Sequence, residues 1–430
     1  MNTNQLHTLG AWQAAALLNR RELRAQDLLQ ACLDRIDERE DVIHAFAELD
    51  RDKALTAARA LDAGPVRGLL HGLPIGVKDI FDTADLVTAY GSTVYAGNRP
   101  SADAAPVALC REAGAVVLGK TVSTEFAYFT PGPTRNPHNT AHTPGGSSSG
   151  SAAAVADHMM PLALGTQTAG SIIRPAGYCG VVGFKPSLGR VVSGGVKSLS
   201  PSMDIIGGFG RSVRDVGLLG AVLTGDPRLN HWRELTAHDS PRIGFFQTPS
   251  WPQADADVVR AWEHATRVLG AQAKNCQDVV TPTNFAELIS LQKEVMTFEM
   301  ARSLSHERIH HRERLSTPLN NLLDEGMTMK AERHAEQLRE VADWRQRIDA
   351  LFDDHDVLLT PSTTSIAPEG TATGDPLFCR SWSILGLPSI HLPFATGRQG
   401  LPVGLQLVGR YGQDHQLLAA AHWVHERLLG

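Results

Sequence analysis

The chain has 430 residues, 42% of them apolar and 20% charged, which is enough to close one large core or two ordinary ones. A net charge of −6 offers no basic surface to nucleic acid or anionic lipid, so a small or neutral substrate is expected. The five cysteines (Cys32, Cys110, Cys179, Cys276, Cys379) are scattered and form no CxxC pair, which argues against a disulfide framework or a thiolate metal site and fits a reducing cytoplasm. The N-terminal stretch lacks an apolar signal core, and no window reaches the roughly 20 apolar residues of a membrane span, so neither export nor anchoring is expected. Residues 10–62 space Ala, Leu and Ile at helical intervals among Arg, Asp and Glu, predicting two or three amphipathic helices. From 70 to 225, β-branched runs such as AVVLG and VVGF alternate with Gly and Pro turns and with alanine-rich helices such as SAAAVADHM, which reads as α/β with a central mixed sheet. Residues 253–270 and 285–355 read as charged helices, and DVLLTPS at 356–362 returns to strand. The tail reads as a strand, a turn around Arg398–Leu401, another strand and a closing helix. The low-complexity piece GGSSSGS at 145–151 is too closely flanked by a Thr-Pro turn and an apolar helix to serve as a linker.

Four short motifs compete for the chemistry. GAVVLGKT at 114–121 has the spacing of a phosphate-binding loop, but its AVVL is strand-like and a helical segment precedes it, so a plain buried strand is expected. HERIH places His306 and His310 one helical turn apart as zinc ligands with Glu307 as general base. It is the rival reading from another enzyme class, set against it being the charged neighbours HHRER. Gly146–Gly150 fits GxSxG with Ser148 as nucleophile, yet the approach NPHNTAHTPG lacks the strand that such an elbow needs. The fourth arrangement needs neither histidine nor metal. Lys78 follows the apolar run Leu73–Val77, and a lysine desolvated there would be neutral and able to act as base for a serine. The bland alternative is a lysine that snorkels from a strand edge or pairs with Asp79. Ser147 and Ser171 both lie in glycine-rich turns, where backbone N–H groups can approach a reacting atom. Such serines are commonly structural; the set of three points to hydrolysis.

PIGVKDI at 74–80, TPGGSSSGSAAAVA at 143–156, GTQTAGSIIRPAGYCGVVGFKPSLGRV at 165–191, SMDIIGGFGRSVRD at 202–215, DVLLTPS and GLPVGLQLVGR at 400–410 together resemble the amidase signature family of serine hydrolases. The resemblance covers most of the chain and constrains residues 225–350 only loosely. It implies an α/β fold with a central mixed, twisted β-sheet flanked by helices on both faces, in a single domain 1–430. Within it, 1–65 would be N-terminal helices, 66–225 the catalytic signature core, 226–355 a variable, largely helical substrate-side region, and 356–430 strands and a helix completing the core.

Carried over by position, the resemblance implies Ser171 as the acylated nucleophile, Ser147 as the bridging serine after a cis Gly146–Ser147 bond, and Lys78 as the base. Backbone N–H groups of Thr168, Ala169, Gly170 and Ser171 would hold the oxyanion. No metal or organic cofactor is implied. Three departures stand out: Ala169 replaces a frequent glycine and would be strained if the position needs a positive φ, Ser149 replaces another, and Gln167 stands where Asp is frequent. The GSIIRP arrangement resembles a malonamidase-like branch in which Arg174 would meet a substrate carboxylate; the alternative is that Arg174 pins the helix or a backbone carbonyl. Tyr128 is a pocket wall by resemblance. The expected substrate is a small-molecule amide, with carbamates (urethanes) and esters open, and no nucleic acid, no membrane and a homodimer left open as partners. A component of a tRNA amidotransferase is a further reading within the family, set against it being a short, acidic chain.

Overall fold

The computed structural model describes residues 3–236, 239–273 and 275–430. The periodic N-terminal segment forms helices α1 (Ala11–Asn19), α2 (Ala25–Ile43) and α3 (Arg51–Ala63), with a strand β1 (Phe46–Leu49) between the last two. Then follow β2 (Pro74–Lys78), α4 (Ala105–Glu112), β3 (Val116–Thr121), α5 (Ser149–Ala156), β4 (Leu162–Gln167), α6 (Ile173–Cys179), β5 (Val182–Lys185), β6 (Ile205–Gly210) and α7 (Val213–Thr224). Strand β7 (Ile243–Phe245), α8 (Ala256–Gln272) and β8 (Cys276–Asp278) lead to helices α9 (Glu287–Ser303), α10 (Ser305–His310), α11 (Thr317–Thr328) and α12 (Ala331–Asp349). The chain closes with β9 (Val357–Pro361), α13 (Leu377–Ile384), β10 (Ser389–Thr396), β11 (Pro402–Gly409) and α14 (Asp414–Leu429).

The strands form one mixed sheet in the order β1-β3-β2-β4-β6-β5-β10-β11-β9-β7-β8. This is the expected α/β architecture, a large central mixed sheet flanked by helices. Along β9 the side chains alternate: Val357 and Leu359 join a core with Trp262 of α8 and Trp423 of α14, whereas Leu358 joins the other core with Trp344 and Trp382. Two cores on opposite faces require helices on both. Among the described residues no helix is long and apolar enough to cross a membrane.

Three strands correct the sequence reading. β1 sits in the segment read as helical, and β7 and β8 lie in the region read as largely helical. Each spans only three or four residues, too short for a period of two to register. Pairing makes them strands: β1 lies antiparallel to β3, and β7 and β8 extend the far edge in parallel.

Strand direction places the site. β2 runs parallel to β3 and β4, and the register Val77↔Leu164 brings Lys78 alongside the C-terminal end of β4. The loops leaving the carboxyl ends of parallel strands are where open α/β sheets collect functional groups.

Candidate active site

Lys78 ends β2 with no solvent exposure, its Nζ 2.8 Å from Ser147 Oγ and 2.8 Å from Thr166 Oγ1. Burial pulls its pKa well below the ordinary 10.5; Asp204 opposes the shift and Arg174 reinforces it. Asp79 is not its partner. That carboxylate pairs with Lys120 at 3.3 Å, and Lys120 also donates to the Phe81 carbonyl and to Thr88 Oγ1. Lys120 belongs to the buried strand β3, so GAVVLGKT is the plain strand expected and not a phosphate loop.

The Gly146–Ser147 peptide is cis. Gly145 before it has φ +79°, and a Cβ there would lie 2.9 Å from Pro175 and Tyr178 of α6, so only glycine lets the serine turn seat against that helix. The Ser147 carbonyl accepts from Thr124 N–H at 3.2 Å. Ser171 lies between β4 and α6 at 7% exposure.

Gln167 organises the turn that carries Ser171. Its Oε1 accepts from Ile172 and Ile173 N–H at 2.9 Å each, serving two donors at the start of α6 that have no helical partner. Its Nε2 donates to Ser383 Oγ at 2.9 Å, and Ser383 donates in turn to the Ala169 carbonyl at 2.7 Å. A neutral amide thus does here what a carboxylate acceptor would do, and adds a donor. Gln167→Leu is expected to lower unfolding stability by about 2–4 kcal/mol, because two buried N–H groups lose their acceptor; urea denaturation reads this directly.

The carbonyls of this turn are engaged as well, Thr168 with Gln292 Nε2 at 3.4 Å and Gly170 with Arg174 N–H at 2.9 Å. Among the described residues, the N–H groups of Ala169, Gly170 and Ser171 donate to no protein acceptor. Ala169 is absent from the residues of positive φ, so the alanine is unstrained. Gly170 is needed for close approach instead: a Cβ there would lie 2.6 Å from Pro376 Cβ. Ser149 spends its hydroxyl on the Gly145 carbonyl at 2.8 Å.

Arg174 is engaged with backbone carbonyls. Its Nε and Nη2 donate to the Gly146 carbonyl at 3.1 and 2.5 Å, and Nη1 donates to the Gly374 carbonyl at 2.6 Å. The guanidinium stands over the Phe129 ring, 5.5 Å from its centroid, and burial lowers its pKa to about 10. It clamps the two serine turns together. Tyr128 is half-buried against Phe129, ring centroids 5.0 Å apart, and follows two non-glycine residues of left-handed φ, Phe126 (45°) and Ala127 (55°). Such a pair costs energy that surrounding contacts must offset; Phe126 N–H donates to the Tyr90 carbonyl at 2.8 Å, and Thr124 Oγ1 donates to the Tyr128 carbonyl.

Two rival motifs are disassembled by the fold. Ser148 is fully buried and donates to the Thr166 carbonyl at 3.4 Å, and no strand leads into it. On the six-residue α10, His306 and His310 face solvent while Glu307 turns inward. There Glu307 accepts from Tyr95 Oη at 2.6 Å and from Lys197 at 2.5 Å. Burial would raise its pKa, but these donors outweigh it and hold it low. A base pointing away from its two histidines cannot serve a metal between them.

The structure adds residues that motif reading did not single out. Thr166 is the second partner of Lys78, and Asp204 accepts from Thr168 Oγ1 at 2.6 Å and from Ser198 Oγ at 2.8 Å. Both lie inside sequence blocks already quoted, but nothing local marks them out from their neighbours. A cavity of about 230 Å³ is lined by Thr166, Thr168, Lys197 and Asp204. A second, of about 610 Å³, is lined by Phe129, Thr373, Gly374, Pro376 and Arg380, and meets the Ser171 turn where Pro376 touches Gly170.

Known proteins resemble this chain over most of its length. A family model described as Amidase matches residues 27–418. The chain is 34% identical to a component of the glutamyl-tRNA(Gln) amidotransferase of Nitratidesulfovibrio vulgaris, over 97% of this chain and 96% of that one. Among solved structures, one described as an amidase is 32% identical with a TM-score of 0.88, covering 97% of this chain and all of its own. The native peptide amidase of Stenotrophomonas maltophilia is 28% identical with a TM-score of 0.79, over 97% of this chain and 96% of its own.

Proposed function

The chain belongs to the amidase family, whose chemistry is on amide C–N bonds, and from that premise we propose that it hydrolyses small-molecule amides through an acyl-enzyme on Ser171. The observation that carries this reading is the fully buried Lys78 held 2.8 Å from Ser147, its pKa pulled well below the ordinary 10.5 by desolvation. A neutral amine has one lone pair and two N–H groups. With an N–H directed to Thr166, the lone pair is available to the Ser147 hydroxyl.

In the proposed step, Lys78 takes the Ser147 proton while Ser147 takes the proton of Ser171, whose Oγ attacks the carbonyl carbon. The unpaired N–H groups of Ala169, Gly170 and Ser171, joined by that of Thr168, receive the negative oxygen; each such donor is worth about 2.7–4 kcal/mol in comparable hydrolases. The proton returns to the leaving nitrogen as the C–N bond breaks, and water then cleaves the ester. Carbamates and esters present the same carbonyl to the same nucleophile and fall within the proposal. Three of the five N–H groups of Arg174 are taken by the Gly146 and Gly374 carbonyls, so the proposal does not rest on Arg174 as a partner for an anionic acyl group.

A second reading, C–N hydrolysis in the service of a partner protein, is favoured by the full-length likeness to an amidotransferase component. One experiment separates the readings: turnover by the purified chain, in excess EDTA, of a neutral anilide, an aryl carbamate and an ester. EDTA-insensitive release of product by the chain alone is expected. Inactivity of a folded chain that a second protein relieves would support the partner reading, and activity lost to EDTA and restored by zinc would overturn the serine–lysine chemistry.

A further inference from the structure

The 610 Å³ cavity beside Gly170 contains polar groups for which the hydrolytic step has no use. Arg380 of α13 is 6% exposed and lines the cavity together with Lys293, Thr373 and Asp375. Its Nη1 donates to the neutral Gln292 Oε1 at 2.5 Å, and its Nε is buried with no partner. Burial lowers its pKa, and Asp375 opposes this only through space. Thr373, 3% exposed, lines the same cavity with its Oγ1 also unpartnered.

A buried guanidinium that meets one amide oxygen is under-satisfied, and its remaining donors lie in a plane suited to a carboxylate. The site is coupled to the reacting turn at two points. Gln292, which holds Arg380, also donates to the Thr168 carbonyl at 3.4 Å. Pro376, four residues before Arg380, packs on Gly170, and the Thr373 methyl would lie 2.8 Å from a Cβ placed on Gly146. A group held by Arg380 and Thr373 is therefore held beside both serine turns.

We propose that this cavity binds a carboxylate of the substrate, with Arg380 as its guanidinium partner, Thr373 as a second donor and Lys293 at the rim, so that the preferred substrates are small amides carrying a free carboxylate. This assignment rests on the hydrolase reading above and places anion recognition at Arg380, which meets one neutral amide oxygen, in preference to Arg174, which meets two backbone carbonyls through three N–H groups.

The test compares succinic acid mono-4-nitroanilide with butyric acid 4-nitroanilide, which differ by a carboxylate in place of a methyl group. The wild type is expected to favour the acid by ~10- to 100-fold in kcat/KM, chiefly through KM. Arg380→Met should bring that ratio close to one, and Arg380→Lys should keep an intermediate ratio. A wild type that prefers the neutral anilide overturns the proposal. So does an Arg380→Met variant that loses both substrates by one factor, the result expected of a purely structural arginine. Calorimetric titration of Ser171→Ala protein with the same two compounds separates this site from the chemistry. Preferential binding of the acid without wild-type turnover would retain the site and remove the hydrolase reading; turnover without preference would do the reverse.

Discussion

Replacing Ser171 with alanine is expected to lower kcat by ~10⁴- to 10⁶-fold, the scale seen when a nucleophile is removed from other serine hydrolases. It should also abolish covalent labelling by phenylmethanesulfonyl fluoride, read as loss of the adduct mass on the intact protein. The effect would belong to chemistry and not to folding. The carbonyls of the turn are held by Gln292, Ser383 and the Arg174 N–H, and its exit into α6 is held by Gln167, none of which involves the Ser171 hydroxyl. Stability should accordingly stay within about 1 kcal/mol of wild type. A Ser171→Ala protein that turns over within tenfold of wild type, or that still takes the label at residue 171, would remove Ser171 from its role.

Lys78 carries the second large effect, and its sign follows from burial. Only the neutral amine can accept a proton, so turnover of a neutral anilide is expected to climb with pH through the Lys78 pKa and then level off. The midpoint should fall below the ordinary 10.5, because desolvation disfavours the ammonium. Lys78→Met should lose about 10²- to 10⁴-fold in kcat, the usual contribution of a positioned base. Lys78→Arg, charged at every accessible pH, should be equally poor across the whole range. A pH-independent kcat with chemistry shown to be limiting would contradict the assignment.

The same shift has a consequence for stability. The folded-state pKa lies below the unfolded-state value, so the unfolded chain holds more protons between the two, and stability rises with pH in that window. The cost of burying Lys78 is fully present below the folded value and vanishes above 10.5. Relative to Lys78→Met, the wild type should therefore gain stability as pH rises, which paired urea titrations at two pH values would show. A difference that does not change with pH would mean that the buried lysine does not titrate in the window.

Much of this molecule was legible in its sequence. Long helices such as α2 and α12 declare themselves by period, and buried strands such as β2 and β4 by apolar runs between turn residues. The short edge strands β1, β7 and β8 did not, since three or four residues carry no period and become strands only through a neighbour. The false motifs were undone in the same way. HERIH keeps its spacing, but packing rotates Glu307 toward Lys197 and Tyr95, away from the face its histidines occupy.

The sequence by itself determined the mixed α/β class and the three candidate residues Lys78, Ser147 and Ser171, because local spacing and the order of glycine-rich blocks are properties of the chain alone. Only the tertiary structure decided which groups those residues meet. Lys78 reaches Thr166 and Ser147 across 88 and 69 positions of sequence, Arg174 reaches Gly374 across 200, and Gln167 reaches Ser383 across 216. Strand register and helix packing set those distances, and through them the burial that lowers the pKa of Lys78, the clamp made by Arg174, and the unpaired donors of Arg380 and Thr373. A partner hundreds of residues away leaves no local trace, so the chemistry of a side chain is read from its own sequence and its role from what the fold sets against it.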